Sequence, residues 1–301
     1  MRILLTGATG QVGSALYRPL SAVGNVLSVD RHVLDLSRPD TIAIVLDRLR
    51  PDLIVNPAAY TAVDLAEDER DIAFRVNGEA PGTMARWAAA HDVPLVHFST
   101  DYLFDGSGNV PWLEESQPAP LSVYGASKFA GEQAIRDANG RHLIVRTSWV
   151  YAAQGRNFLR TIARLALQQR ELRVVTDQRG APTSARIIAD AVVRILQQEL
   201  AGDLFQDRGG AINLTASGVT SWYGFAIAII DGMKQRGASL AVENVRPIAT
   251  SDYPTKAVRP LNSRLDQRRL RELFKIQMPF WQEALEVELN THFWVSRSET
   301  H

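Results

Sequence analysis

The chain has no cysteine among its 301 residues. Disulfides, thiolate nucleophiles and zinc–thiolate sites are therefore excluded, and a reducing cytoplasm is allowed. Net charge is absent too, because 33 Lys and Arg balance 33 Asp and Glu. That removes the basic footprint of a nucleic-acid binder, and no nucleic-acid partner is expected. No apolar run reaches the ~18 residues that a membrane span needs. The longest, around Phe225 to Ile230, reads as a buried helix, and no membrane partner is expected. The opening MRILLTGATGQVG has too short an apolar run for a secretory signal, so the expected location is cytoplasmic. The six histidines, at 32, 91, 97, 142, 292 and 301, show no metal-ligand spacing, and no metal is expected. His97, inside an apolar strand, reads as a satisfied core residue.

What is present is the composition of an ordinary globular protein, 46% hydrophobic and 22% charged, with length enough for about two domains. Arg2 to Thr6 is a short apolar strand. Gly7-Ala-Thr-Gly10-Gln-Val-Gly13 follows at once, and then a helical stretch from Ser14 to about Ala22. Strand, glycine loop and helix form the context of a dinucleotide-binding fingerprint, here spaced G-x-x-G-x-x-G. Glycine lets the backbone approach a pyrophosphate, and the helix N-terminus supplies N–H donors and a positive dipole end. Asn25 to Val29 is a second strand, ending in Asp30-Arg31. An acid about 20 residues after the loop suits a ribose 2′-hydroxyl, whereas Arg31 suits a 2′-phosphate. NADPH and NADH therefore both remain open, with Asp35 and Leu36 placed to flank an adenine.

Further strands are expected at 51–56, 93–99, 142–150 and 211–214, alternating with helices. One helix is expected at about 72–91. Strict alternation predicts a doubly wound parallel sheet. Ala58 and Ala59, at a strand's carboxyl end, leave room for a flat ligand beside Tyr60. A Gly/Pro-rich loop, 106–120, is long enough to be functional or mobile. Residues 1–150 are expected to form a Rossmann-like α/β domain to which 184–216 return. Residues 151–183 and 217–301 are expected to form a smaller, C-terminal substrate-binding lid, with a helical tail over 266–293.

Two features carry chemistry. Tyr124 and Lys128 stand four apart on a helix, hence on one face. The lysine charge is expected to lower the tyrosine pKa and fit it for proton exchange with a substrate oxygen. Thr100, beside Ser99 at a strand's end, can donate to an oxygen where negative charge develops. With a nucleotide loop, these suffice for hydride chemistry at a ketone or alcohol. Arg259, in a Pro-rich loop, can grip a diphosphate or stand as a solvated charge. Trp222, Trp281 and Trp294 read as packing.

These residues resemble the extended short-chain dehydrogenase/reductase family, over nearly the whole chain. The glycine loop and Tyr-x-x-x-Lys are superfamily-wide. Further markers are 56–64 (NPAAYTAVD), 99–106 (STDYLFDG), 146–151 (RTSWVY), 177–183 (DQRGAPT) and 259–264 (RPLNSR), of which Ser-Thr-Asp-Tyr and Arg-Thr-Ser-Trp-Val-Tyr are much narrower. The resemblance implies Thr100, Tyr124 and Lys128 as catalytic, with Lys128 also on the nicotinamide ribose. It implies Gly7, Gly10, Gln11 and Val12 at the pyrophosphate and Asp30 at the adenosine ribose. Asp35, Leu36, Ala58, Ala59 and Tyr60 would line the cofactor groove, and Asp101 and Trp149 would contact the sugar. The implied reaction is reduction of the 4-keto group of a dTDP-sugar, dTDP-4-dehydro-β-L-rhamnose, by NADPH or NADH, for cell-surface polysaccharide. Eliminating relatives carry Thr-Asp-Glu where this chain has Thr100-Asp101-Tyr102, so the eliminating base is missing. Another nucleotide-sugar 4-ketoreductase, a C4 epimerase or a catalytically silent regulatory homologue remain alternatives. Some members are Mg2+-bridged dimers through glutamates; the matching positions are Ala15 and Arg186. No such bridge is expected, which leaves a monomer or another homodimer.

Overall fold

The computed structural model describes residues 1–199, 205–291 and 293–294. His292, His301 and the end of the expected lid lie outside them. The centre is a six-stranded parallel sheet of β1 (Arg2–Leu5), β2 (Asn25–Ser28), β3 (Leu53–Asn56), β4 (Leu95–Thr100), β5 (His142–Thr147) and β6 (Gly210–Asn213). The spatial order is β6-β5-β4-β3-β1-β2. The chain reverses direction across the sheet after β2, which opens the ligand crevice of a doubly wound sheet between β1 and β3. Every residue of β3 and β4 is buried, as both-face coverage of a parallel sheet requires.

The helices, in chain order, are α1 (Gln11–Ser21), α2 (Pro39–Leu49), α3 (Arg70–Phe74), α4 (Ala80–Ala90), α5 (Val123–Asp137), α6 (Phe158–Gln168), α7 (Ala185–Glu199), α8 (Trp222–Gln235), α9 (Arg268–Phe274) and α10 (Trp281–Leu289). On one sheet face, Leu16 and Leu20 of α1 and Ile188, Val192 and Leu196 of α7 pack on the strands. Leu270, Phe274, Ile276 and Met278, from α9 and the chain after it, share that core. The other face is covered by α2, α4 and α5. A separate core joins α6, α8 and α10 around Phe225 and Trp281.

Two expected helices are divided. That at 72–91 is α3 and α4 with a π-helical turn, Arg75–Glu79, between them. The turn brings Asn77 against α5, so closely that a Cβ on Gly131 would lie 2.1 Å from the Asn77 carbonyl oxygen. The tail is α9 and α10, broken where Lys275 takes a left-handed φ of 52° and Pro279 follows. The 106–120 loop is tied down. Trp112 Nε1 donates to Asn262 O at 3.0 Å, and Glu114 Oε1 accepts from Asn213 N at 2.9 Å.

One ion pair fixes α5 to the sheet. Arg146 of β5 meets Glu132 of α5 with Nε–Oε1 at 2.9 Å and Nη2–Oε2 at 2.7 Å, and Arg146 Nη1 donates to Glu114 O at 2.9 Å. Both side chains are almost wholly buried. Breaking such a pair strands a charge inside the protein. Arg146→Met should cost about 3–5 kcal/mol in urea unfolding, and a loss under about 1 kcal/mol would show the pair to be dispensable.

Candidate active site

The glycine loop is built by close approach. Gly7 has φ +56°, and a Cβ there would stand 2.9 Å from Ala58 Cα, across the crevice between β1 and β3. A Cβ on Gly13 would stand 2.1 Å from Gly7 O. Only glycine suits either position. Gly10 N donates to Gly7 O at 2.9 Å and caps α1, whose first-turn N–H groups, at Gln11 and Val12, face its open end. Gln11 Oε1 accepts from Asn157 Nδ2 at 2.8 Å.

Gly7, Asp30, Arg31, Asp35, Leu36, Ala58, Ala59 and Tyr60 line one groove of about 640 Å3. The structure thus gathers the expected nucleotide residues, with Gly10, Gln11 and Val12 beside the groove rather than in its lining. Asp30 accepts from His32 N and Val33 N, which fixes the turn after β2. Asp35 is held below the usual carboxylate range by hydrogen bonds from Ser37. Tyr60 is pinned by Asn77, whose Oδ1 accepts from Tyr60 N at 2.8 Å and whose Nδ2 donates to Tyr60 O at 3.0 Å. Burial and the Glu69 carboxylate push its phenol up to about 12.

Thr100 ends β4, and Tyr124 stands in the first turn of α5, capped by Ser122 accepting from Gly125 N at 3.1 Å. A Cβ on Gly125 would lie 2.2 Å from Tyr102 O, which lets α5 start against the strand end. The Thr100 hydroxyl favours ionisation of the Tyr124 phenol. Thr100 Oγ1 also donates to Asp101 Oδ1 at 3.2 Å and accepts from Tyr102 N at 3.2 Å. Tyr102 packs edge-on against Tyr124, with ring centroids 5.5 Å apart.

The electrostatics differ from expectation in one respect. Burial raises the Tyr124 pKa; the Asp101 and Tyr102 charges add to this, and only the Thr100 hydroxyl opposes it. Lys128 does not lower it here. Its Nζ reaches under the sheet instead, donating to Phe98 O at 2.6 Å and meeting His97 Nε2 at 3.1 Å. Burial brings Lys128 down to about 8, against the pull of Glu132. Spacing placed Tyr124 and Lys128 on one helix face, but the length of a lysine lets its tip leave that line.

Arg259 and Trp149 stand at the edge of the reacting groups. Arg259 donates to Asp64 Oδ2 at 2.5 Å and to Tyr102 OH at 3.2 Å, so it is neither free nor solvated. It lines a cleft of about 480 Å3 with Asp64, Tyr102, Gln178, Trp222 and Tyr253. Trp149 follows β5 with φ +50°, strained for a large side chain, and stacks on Trp222 at 3.7 Å between centroids. Trp222 Nε1 donates to Gln178 Oε1 at 3.0 Å. A Cβ on Gly180 would lie 2.7 Å from the Trp149 ring. Asp64, Gln178 and Trp222 were not singled out by sequence as site residues; Asp64 and Gln178 lie inside the marker segments 56–64 and 177–183, and that was the only signal of these two.

Buried oxygens of Ser99, Asp101 (Oδ2), Thr147 and Ser148 have no protein hydrogen-bond partner. They cluster where β4 and β5 end, as Thr100 pairs with Thr147 in register. Unpaired polar atoms beside a glycine cradle suit a polar ligand such as a dinucleotide and a sugar.

Sheet order, glycine loop and a tyrosine beside a strand-end threonine are together those of a Rossmann-type NAD(P)H-dependent oxidoreductase. The chain belongs to the family described as the RmlD substrate binding domain, whose model matches residues 1–292. It is 45% identical over 290 residues to a dTDP-4-dehydrorhamnose reductase of Burkholderia thailandensis, covering 95% of this chain and 97% of that one. It is 42% identical over 297 residues to the enzyme of the same name from Escherichia coli K12, covering 97% and 98%. A crystal structure of dTDP-4-dehydrorhamnose reductase from Bacillus anthracis in complex with NADP superposes with a TM-score of 0.87 at 34% identity, covering 96% of this chain and 99% of that one. Among the described residues, no helix is long and apolar enough to cross a membrane.

Burial raises the Asp101 carboxyl from 3.8 to about 6, while hydrogen bonds from Ser263 and Thr100 oppose the shift. A raised acid favours the native state in its protonated form, so its contribution is lost as pH rises through this window. Compared with Asp101→Asn, the parent should lose on the order of 2–3 kcal/mol between pH 4 and pH 6. Parallel stability curves in urea titrations across that range would show that Asp101 ionises freely.

Proposed function

We propose that the protein reduces the 4-keto group of dTDP-4-dehydro-β-L-rhamnose to dTDP-L-rhamnose with NADPH, NADH being the second cofactor to consider. The observation that carries this reading is the start of α5, with Tyr124 in its first turn, packed against the end of β4 that bears Thr100. Tyr102 stands third in Thr100-Asp101-Tyr102, where an eliminating enzyme needs a carboxylate.

In this reading, Gly7, Gly10 and the α1 N-terminus hold the pyrophosphate. Asp30, Arg31, Asp35 and Leu36 hold the adenosine end, and Ala58, Ala59 and Tyr60 line the passage toward Tyr124. When bound, the nicotinamide supplies the hydride. Thr100 donates to the carbonyl oxygen as charge develops there, and Tyr124 delivers its proton to the same oxygen. A raised phenol pKa serves this direction, because reduction needs the tyrosine protonated and the product alkoxide is a strong base. Lys128 sits one turn further along α5, and in binding the nicotinamide ribose its Nζ would turn out from Phe98 O and His97. Asp101 and Trp149 meet the sugar, and Arg259, already oriented by Asp64, meets the diphosphate.

We further read the core around α6, α8 and α10 as a substrate-binding lid over a nucleotide-binding body. The Arg259 cleft lies where these two meet. Arg186, at one position where some relatives hold a metal, instead pairs with Glu288 at 3.4 Å.

The test is NADPH oxidation by purified protein with dTDP-4-dehydrorhamnose, beside its UDP and GDP counterparts. Turnover should favour the dTDP-sugar, and Tyr124→Phe should retain NADPH binding while losing about 10²–10⁴-fold in kcat. Near-normal turnover in Tyr124→Phe would remove Tyr124 as the acid. Protein purified with stoichiometric tightly held NAD, and inert toward added NADPH, would point to an epimerase.

A further inference from the structure

Under the reacting hydroxyls runs a chain of buried polar groups of which the proposed reaction uses only the last, Lys128. It begins at Thr6, in the wall of the nucleotide groove. Thr6 Oγ1 accepts from Ala58 N at 3.4 Å and donates to Asn56 Oδ1 at 2.6 Å. Asn56 Nδ2 meets His97 Nδ1 at 3.0 Å, and His97 Nε2 meets Lys128 Nζ at 3.1 Å. All four side chains are buried, Asn56 and His97 completely.

The polarity of this chain follows from its first link. The Thr6 hydroxyl hydrogen has Asn56 Oδ1 as its acceptor. The amide therefore turns Nδ2–H toward His97. An amide N–H can only donate, so His97 Nδ1 has to accept, and a neutral imidazole then carries its proton on Nε2. Burial, with the neighbouring Lys128 charge, holds His97 well below its usual pKa, so it is neutral. Nε2–H thus points at Lys128 Nζ. An ammonium has no lone pair to receive it, whereas a neutral amine has one.

We propose that His97 is a positioning residue for Lys128: the Thr6–Asn56–His97 chain presents a donor to Lys128 Nζ and favours the neutral amine in the free protein. Phe98 O, at 2.6 Å, takes one of the amine hydrogens. The other ionisable groups around this end of α5 act elsewhere or in opposition. Asp101 and Tyr102, from the turn after β4, act on Tyr124. Glu132, on α5 itself, favours the ammonium, but it is committed to Arg146 of β5 and to Arg136. The reverse polarity, with His97 accepting from an ammonium, requires Asn56 to turn over, and that leaves the Thr6 hydroxyl hydrogen without its acceptor. The proton on Lys128 is in this way tied to a residue in the groove wall.

The inference rests on the proposed function only in giving Lys128 a part in the reaction, and its test needs no turnover. The chain has four lysines, Lys128, Lys234, Lys256 and Lys275. In 13C-lysine-labelled protein the Lys128 Cε signal is assigned by Lys→Arg changes at the other three, and its shift is followed against pH. Thr6→Val keeps the side-chain shape and removes the hydroxyl, which frees Asn56 to turn and His97 to accept. The Lys128 midpoint should then rise by about one pH unit, a tenfold gain in proton affinity. His97→Leu, which removes the donor outright, should move it the same way; Thr6→Val carries the test if that variant does not fold. A midpoint that stays or falls in Thr6→Val overturns the proposal. Absence of turnover with every nucleotide sugar would defeat the proposed function and leave this titration as it was.

Discussion

The buried pair Arg146–Glu132 sets where everything else in the site can stand. Tyr124, Lys128 and Glu132 follow one another at four-residue steps along one face of α5. Locking Glu132 to the sheet, at Arg146 near the carboxyl end of β5, fixes the height and rotation of that face. Lys128 then lies under the end of β4, and Tyr124 beside the last residue of that strand. Gly131 against Asn77 and Gly125 against Tyr102 set how closely the helix lies. A charge pair with no solvent around it also resists displacement, since either partner alone would be a buried charge.

Burial decides the protonation states that follow. It keeps the Tyr124 phenol protonated, holds His97 neutral, brings Lys128 to about 8 and lifts Asp101 to about 6. All four shifts run toward the uncharged form, the direction that a poorly solvated pocket imposes. A phenol held protonated suits delivery of a proton to an oxygen that is becoming an alkoxide. It suits less well the removal of a proton from carbon, for which a carboxylate base would be needed and where Tyr102 stands.

Much of the fold was legible because alternating strands and helices leave few topologies open, and because each of the first strands carries its own apolar run. The groove was legible for a local reason: glycine loop, strand end and following acid all report on one βαβ unit. What escaped depends on distance in the chain. Arg259 and Asp64 are 195 residues apart, and nothing in either neighbourhood announces the other. Trp222 reads as packing from its helix, yet its partner is Trp149 at a strained strand end. His97 reads as core from its strand, and it is core, but between Asn56 and Lys128. The expected effect of Lys128 on Tyr124 failed for a different reason. Helical spacing fixes Cβ positions, whereas the charge sits at the end of a flexible side chain, which here finds a carbonyl and an imidazole.

The central claim is that this constellation delivers a hydride and a proton to the two ends of one carbonyl. The most direct measurement uses NADPH deuterated at the transferring C4 position, dTDP-4-dehydrorhamnose and the unmodified protein, with mass spectrometry and NMR of the product sugar. One deuterium on sugar C4, with none at the neighbouring carbons, is the expected result. A product without deuterium at C4, or with solvent-derived label at the adjacent carbon at every turnover, would contradict it.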